Sequence, residues 1–158
     1  MDLVTAAAVA GTIIGAFSAL ASVWATLTQR VIDRRRVTIE FLSAMELDPE
    51  LIEATRNLLA LTERGELPQV AERTKGLGSN ESKWVRIVLN QYEVIALAIT
   101  CGSLDFKVLR RFAASTIRNL WHNSKPFVLA LRERTGNIRL YCEFESLAMR
   151  MGEGAIDR

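Results

Sequence analysis

Apolar residues recur at helical spacing along most of the chain, and no segment alternates apolar and polar positions as a half-buried strand does. Asp48 followed by Pro49 is typical of a helix start, and glycines follow several of the apolar patterns, as they do at helix ends. The predicted helices after the N-terminal segment cover residues 48–64, 79–101, 106–123, 126–135 and 138–151. Turn-rich residues at 65–70 and 74–82 predict loops.

The N-terminal segment has a different pattern, because residues 3–29 carry no charge. A helix of about 20 such residues is long enough to cross a bilayer, although a buried helix of a soluble protein is the alternative interpretation. The basic residues Arg30, Arg34, Arg35 and Arg36 follow at once, and only Asp2 precedes. This asymmetry predicts an N-terminus outside and the rest of the chain in the cytoplasm.

The predicted fold is therefore all-α. A transmembrane helix at 1–29 continues without a Gly or Pro into a basic juxtamembrane stalk at 30–47. A cytoplasmic bundle of about four to five helices follows at 48–152, and residues 153–158 form a flexible tail. A chain of 158 residues suffices for one such domain.

Small or hydroxylated residues follow one line of the predicted span, at alternating steps of three and four residues. We call this line the seam: Thr5, Ala8, Thr12, Gly15, Ala19, Ser22 and Thr26. A repeat of about 3.5 residues is typical of the contact line in a left-handed helix bundle, and small residues allow close approach in membranes. The seam thus predicts a homo-oligomer in the bilayer.

Two interpretations of the seam remain open. Copies of the helix pack there without a channel, or they surround an aqueous path that the hydroxyl groups line. The bulky residues of the span mostly fall elsewhere on the helix and are candidates for lipid contact: Ile13, Ile14, Phe17, Leu20, Val23, Trp24 and Leu27.

Charge is unevenly distributed, although the net charge is only +2. Residues 37–82 are acidic and residues 83–139 are basic. The candidate anion-binding residues are Lys107, Arg110, Arg111, Arg118, Lys125 and Arg132, with Trp84 and Trp121 as candidates for base stacking. A nucleotide or short oligonucleotide is one predicted ligand. The alternatives are pairing between the acidic and basic halves, within or between protomers, and attraction to anionic lipid.

Nothing in the sequence predicts an enzyme, a metal site or a cofactor. The single histidine cannot build a His-based metal cluster, and the glycines form no phosphate loop. Cys101 and Cys142 lie in apolar helical patterns and are predicted to be buried free thiols. Glu93 is predicted to be a structural partner of an arginine rather than a catalytic acid.

Several segments together resemble an uncharacterised bacterial family known as domain of unknown function 4760. They include an Asn-x-Tyr-Glu helix at 90–93, a Gly-x-Leu-Asp turn at 102–105 and a Tyr-x-x-Phe-Glu at 141–145. The resemblance covers nearly the whole chain. It implies one N-terminal span with a basic exit and a helical domain, and it implies no reaction.

The leading functional prediction is an oligomeric membrane effector in a bacterial inner membrane. The cytoplasmic domain would sense an anionic ligand and pass its occupancy through the stalk to a pore or membrane-disrupting state, in a setting such as anti-phage defence. The alternative is a membrane-anchored adaptor whose helical domain docks a partner protein.

Overall fold

The structure, a computed structural model, describes the backbone of residues 3–73 and 80–152 and the side chains of residues 17–72 and 80–152. Six α-helices and no strand occur in these ranges, so the all-α prediction is confirmed for the described part of the chain. The helices are α1 (Leu3–Glu46), α2 (Pro49–Glu63), α3 (Leu67–Arg73), α4 (Asn80–Thr100), α5 (Phe106–Thr135) and α6 (Cys142–Gly152).

Helix α1 runs unbroken for 44 residues. Its backbone therefore continues through residues 29–45 as a single helix, where the sequence offers no Gly or Pro to end it. Among the residues described, no helix is both long and apolar enough to cross a membrane. The side chains of residues 3–16, which make up the first half of the predicted span, lie outside the described residues.

Helices α2 and α4 begin and end close to where local signals place them. The Asp48 carboxylate accepts hydrogen bonds from the backbone N–H groups of Glu50 and Leu51, at 2.9 and 3.2 Å. This satisfies donors that the first turn of a helix leaves unpaired. After α2, Gly65 adopts a φ of +67°, a left-handed conformation that glycine reaches without steric cost.

The stretch predicted as a loop at 65–70 is non-helical only at its first two residues, and the prediction is wrong for residues 67–70, which begin the short helix α3. Pro68 is compatible with a first helical turn, and Val70 and Ala71 are buried, 1% exposed each. Burial against α5 stabilises a helix too short to persist alone. The predicted loop at 74–82 lies outside the described residues at 74–79, and its last residues belong to α4.

Helix α5 corrects a second prediction, because Pro126 does not begin a new helix. It lies inside α5, which continues to Thr135. Proline removes one backbone hydrogen bond and costs a helix interior about 3 kcal/mol. Phe127 and Val128 directly after it are completely buried, and their burial offsets this cost.

Helix α6 begins four residues later than predicted. Asn137 accepts a hydrogen bond from the Arg139 N–H at 3.0 Å, which forms a local turn. Tyr141 then adopts a φ of +58°, a left-handed conformation that interrupts helix propagation. The helix proper starts at Cys142 and, as predicted, ends at Gly152.

The core lies between four pairs of helices. Helix α2 packs along α4, α4 packs on α6, and α5 packs on both α3 and α6. The largest fully buried side chains are Phe127, Phe144, Leu58, Leu61, Leu89, Ile95, Leu109, Ile117 and Leu131. Only the C-terminal part of α1 joins this core, through Leu42. Cys101 is exposed and Cys142 half-buried, so the prediction that both thiols are buried is wrong.

Candidate functional site

Helix α5 presents a row of basic side chains on one face. Because α5 is a single helix, Lys125 follows Lys107 by 18 residues, which is about five complete turns. Arg111 and Arg118 fall within about 40° of the same line. All four side chains are exposed. We call these four residues, Lys107, Arg111, Arg118 and Lys125, the basic face.

Residues 106–132 of α5 contain neither Asp nor Glu, and Glu133, the one carboxylate of this helix, lies about two turns beyond Lys125. Within the described part of the chain, none of the four cations of the basic face forms an ion pair. Ser115 and His122 are also exposed on this side of the helix. The surface therefore offers charged and neutral hydrogen-bond donors that suit an anion.

The other two predicted anion-binding residues are placed differently. Arg132 is largely buried and forms an ion pair with Glu145 at 2.8 Å, and its Nε donates to the Leu140 carbonyl oxygen at 2.9 Å. Its guanidinium thereby connects α5 to α6. Arg110 is half-buried beside the basic face rather than part of it.

The two tryptophans that were predicted to stack on bases do not have an open ring beside the basic face. Trp121 is 8% exposed and contacts the Phe144 ring edge-to-face, with the ring centroids 5.3 Å apart. Trp84 lies on α4, half-buried, with the Lys83 ammonium 5.4 Å from its ring centroid. Base stacking on Trp121 would require the core to open.

The start of α5 is fastened to α1 by three residues, which we call the α1–α5 junction: Arg35, Thr38 and Asp105. The Asp105 N–H donates to the Thr38 hydroxyl at 2.8 Å, and the Arg35 guanidinium donates to the Asp105 carboxylate at 3.4 Å. The same carboxylate caps α5 by accepting from the N–H groups of Lys107 and Val108. Thr38 is completely buried.

The electrostatics of the junction favour the ionised form of Asp105. Burial alone would raise the pKa of the Asp105 carboxyl, but the Val108 and Lys107 N–H groups and the Arg35 guanidinium more than compensate. The pKa of Asp105 is therefore lower than its ordinary value.

Two of the four arginines predicted at the membrane exit form ion pairs within the protein. Arg35 pairs with Asp105, and Arg36 pairs with Glu40 at 2.8 Å. Arg34 is half-buried against the domain, whereas Arg30 is exposed.

The seam residues are described only in part. The backbone is helical throughout, but the side chains of Thr5, Ala8, Thr12 and Gly15 lie outside the described residues. Ala19, Ser22 and Thr26 are exposed. The Ser22 and Thr26 hydroxyls each donate to the carbonyl oxygen four residues earlier, at 2.9 Å.

The seam and the domain contact lie on opposite faces of α1. The residues of the stalk that are shielded by the domain are Val31, Arg34, Thr38, Phe41, Leu42 and Met45. The seam continues in phase through Gln29, Asp33, Arg36 and Glu40, all exposed. Each of these is two residues from a shielded position, which corresponds to about 200° around the helix. The polar line thus faces away from the domain.

Sequence reasoning missed the role of Glu93. Its carboxylate accepts hydrogen bonds from the N–H groups of Glu143 and Phe144, at 3.3 and 2.7 Å, and so caps the start of α6. Tyr141 donates to the Asn90 side chain at 3.2 Å, and the Tyr92 and Phe144 rings stack at 5.3 Å. Glu93 is a structural partner, but of backbone amides rather than an arginine.

No group of three or more His, Cys, Asp or Glu residues that could hold a metal ion occurs among the described residues.

The family motifs therefore meet in two places, the α4–α6 contact and the α1–α5 junction, where they hold helices together. No curated protein and no solved structure matches this chain. A family model described as "Domain of unknown function (DUF4760)" matches residues 5–151, almost the entire sequence. The chain therefore belongs to the DUF4760 family.

Proposed function

We propose that this protein is a homo-oligomeric, single-span effector of a bacterial inner membrane, with its N-terminus outside and its helical domain in the cytoplasm. An anionic ligand, a nucleotide or short oligonucleotide, binds the basic face of α5, and its occupancy changes the packing of α1 in the membrane. Opening of a pore or disruption of the bilayer follows, in a setting such as anti-phage defence. The observation that carries the proposal is the direct connection of α5 to α1 through Thr38 and Asp105.

The uncharged segment at 3–29 supports the membrane part of the proposal. Phe17, Leu20, Trp24 and Leu27 are each more than half exposed in the single chain, which leaves a large apolar line of α1 uncovered. Hydroxyl groups that donate to their own helix, as those of Ser22 and Thr26 do, are compatible with an apolar environment.

The two faces of α1 support self-association through the seam. The domain covers one side of the stalk and leaves the seam side open, so copies of α1 can meet without displacing their domains. In such an assembly the helices form the centre and the domains lie at the periphery. Small residues at the centre allow the close approach that membrane helices need.

Transmission requires that ligand binding favour one of two arrangements of the same element. Lys107 of the basic face follows the Asp105 cap by two residues, within the first turn of α5. An anion at Lys107 competes electrostatically with Asp105 for the nearby Arg35. Weakening that ion pair changes how the stalk is held and therefore how neighbouring copies of α1 pack.

A second candidate function is a membrane-anchored adaptor. Val94 and Leu97 lie on one face of α4 and are 56% and 50% exposed, a small apolar surface on which a partner protein would dock. The adaptor requires α1 only as an anchor. Replacing residues 3–29 with an unrelated transmembrane helix should then preserve function, whereas the effector should lose it.

The effector is tested by ion flux from proteoliposomes that contain the full-length protein, with and without an added 12-nucleotide oligothymidylate. We expect flux that the oligonucleotide alters, and its loss in a Thr12→Leu/Ser22→Leu variant that still assembles. The matched control is Ile13→Leu/Val23→Leu, which changes the bulky face and should retain flux. Flux that persists in the seam variant would contradict a pore lined by these residues.

A further inference from the structure

The basic face of α5 has a shape that selects among anionic ligands. Its four cations extend along one helix for 18 residues, about 27 Å at a rise of about 1.5 Å per residue. A mononucleotide could reach one or two of them. A strand stacked as in B-form DNA, with one phosphate about every 3.4 Å along its axis, would place roughly eight nucleotides along the same length.

The apolar cleft beside α5 does not include the basic face. The cleft that the structure shows near α5 lies on the other side of the helix, between α1, α4 and α5, and is lined mainly by apolar side chains such as Leu42, Tyr92 and Ala113. Thr116, also in this cleft, is nine residues from both Lys107 and Lys125, or two and a half turns. With Trp121 buried, no tryptophan of α5 is available to stack on bases, and the four cations of the basic face suit backbone phosphates.

The direction of α5 argues against a lipid surface as the ligand. Asp105 contacts Arg35 and Thr38 near the start of the stalk, whereas Leu109 and Thr116 line a cleft with Met45 at its end. The two helices thus advance together away from the predicted membrane exit. Headgroups near residue 30 could reach the first turn of α5 but not Lys125.

We propose that the basic face, Lys107, Arg111, Arg118 and Lys125, binds the phosphodiester backbone of a nucleic acid strand, along the helix and without reading the bases. This deepens the proposed function by naming the class of ligand. Binding can be measured without ion flux, so failure here and failure of the effector proposal are distinguishable.

The test is fluorescence anisotropy with the full-length protein in detergent and labelled oligothymidylates of increasing length. Affinity should rise with length up to about eight nucleotides, and thymidine monophosphate should compete at least tenfold more weakly than a 12-mer. A homopolymeric RNA 12-mer should bind comparably. Four phosphate contacts predict a slope of log K against log salt of about −2.8.

The variant Arg111→Gln/Arg118→Gln should lower the affinity at least tenfold and reduce the slope to about −1.4. The matched control, Arg56→Gln/Arg64→Gln, removes the same charge from an exposed position on α2 and from the exposed residue directly after it, and should leave both values unchanged. Equal losses of affinity in the two variants would show that binding depends only on net charge and would overturn the proposal.

Three further results would overturn the proposal. One is thymidine monophosphate competing as strongly as the 12-mer, and another is the absence of any binding. The third is loss of 12-mer binding when the protein is moved from neutral to anionic lipid nanodiscs, because it would identify lipid headgroups as the occupant of the face.

Discussion

The Thr38 hydroxyl accepts a hydrogen bond from the Asp105 N–H at 2.8 Å and donates one to the Arg34 carbonyl oxygen at 2.7 Å. The buried Thr38 side chain thus joins the stalk to Asp105, the residue that caps α5. No other hydroxyl described in α1 has a hydrogen bond outside its own helix. The contact is the most specific connection between α1 and the domain.

Replacing Thr38 with Val keeps the shape but leaves the Asp105 N–H buried without an acceptor. Such a group costs about 2 kcal/mol, which corresponds to a Tm lower by about 6 °C in a chain of this size. Thr62→Val is the control, because the Thr62 hydroxyl bonds only to the Leu58 carbonyl oxygen of its own helix. Thermal unfolding of both variants measures the difference, and equal shifts would contradict a special role for Thr38.

The low pKa of Asp105 predicts a pH dependence of stability. A carboxyl whose pKa is lower in the folded state stabilises the fold above its unfolded pKa, about 3.9, and loses this contribution as pH falls through the folded value. Asp105→Asn should therefore be less stable than the wild type at pH 6, and the difference should shrink progressively as pH falls below the unfolded pKa. Urea unfolding across this range measures it, and a constant difference would contradict the assignment.

The capping of α6 by Glu93 predicts a local effect of its removal. Glu93→Ala leaves the Glu143 and Phe144 N–H groups without their acceptor and should cost about 2 kcal/mol. Hydrogen exchange should accelerate most at these two amides. Glu53→Ala, at an exposed position of α2, should change neither stability nor α6 exchange by more than about 0.5 kcal/mol. Uniform acceleration across the domain would contradict a local cap.

The basic residues of α5 should divide into structural and surface groups. Arg132→Gln breaks a largely buried pair with Glu145, which should cost about 3 kcal/mol because a charge is left uncompensated. Lys125→Gln, at an exposed position, should cost less than about 0.5 kcal/mol. Urea unfolding compares the two. Similar losses would show that Lys125 also has a structural partner.

Local signals were sufficient for much of the fold. The caps at Asp48 and Asp105 and the stop at Gly65 depend on residues adjacent in sequence, and the structure has all three. The prediction that a helix begins at Pro126 is wrong because the burial of Phe127 and Val128 outweighs the cost of a proline inside a helix. Tyr141 has no local signal for a left-handed backbone, and its side chain contacts α4, far away in sequence.

The candidate site depended on tertiary structure in the same way. Lys125 joins the basic face only because α5 passes through Pro126 without a break. Arg132 carries the same charge as Lys125, but its contact with Glu145 on α6 could not be read from spacing alone. The basic face therefore contains only four of the six basic residues that the sequence predicted to bind an anion.

The central claim is that copies of α1 associate through the seam, and native mass spectrometry of the full-length protein released from detergent tests it most directly. We predict a single oligomer of fixed copy number, to which a 12-mer oligothymidylate binds as added mass. A monomer at all protein concentrations, without bound nucleic acid, would contradict the account and favour the anchored adaptor.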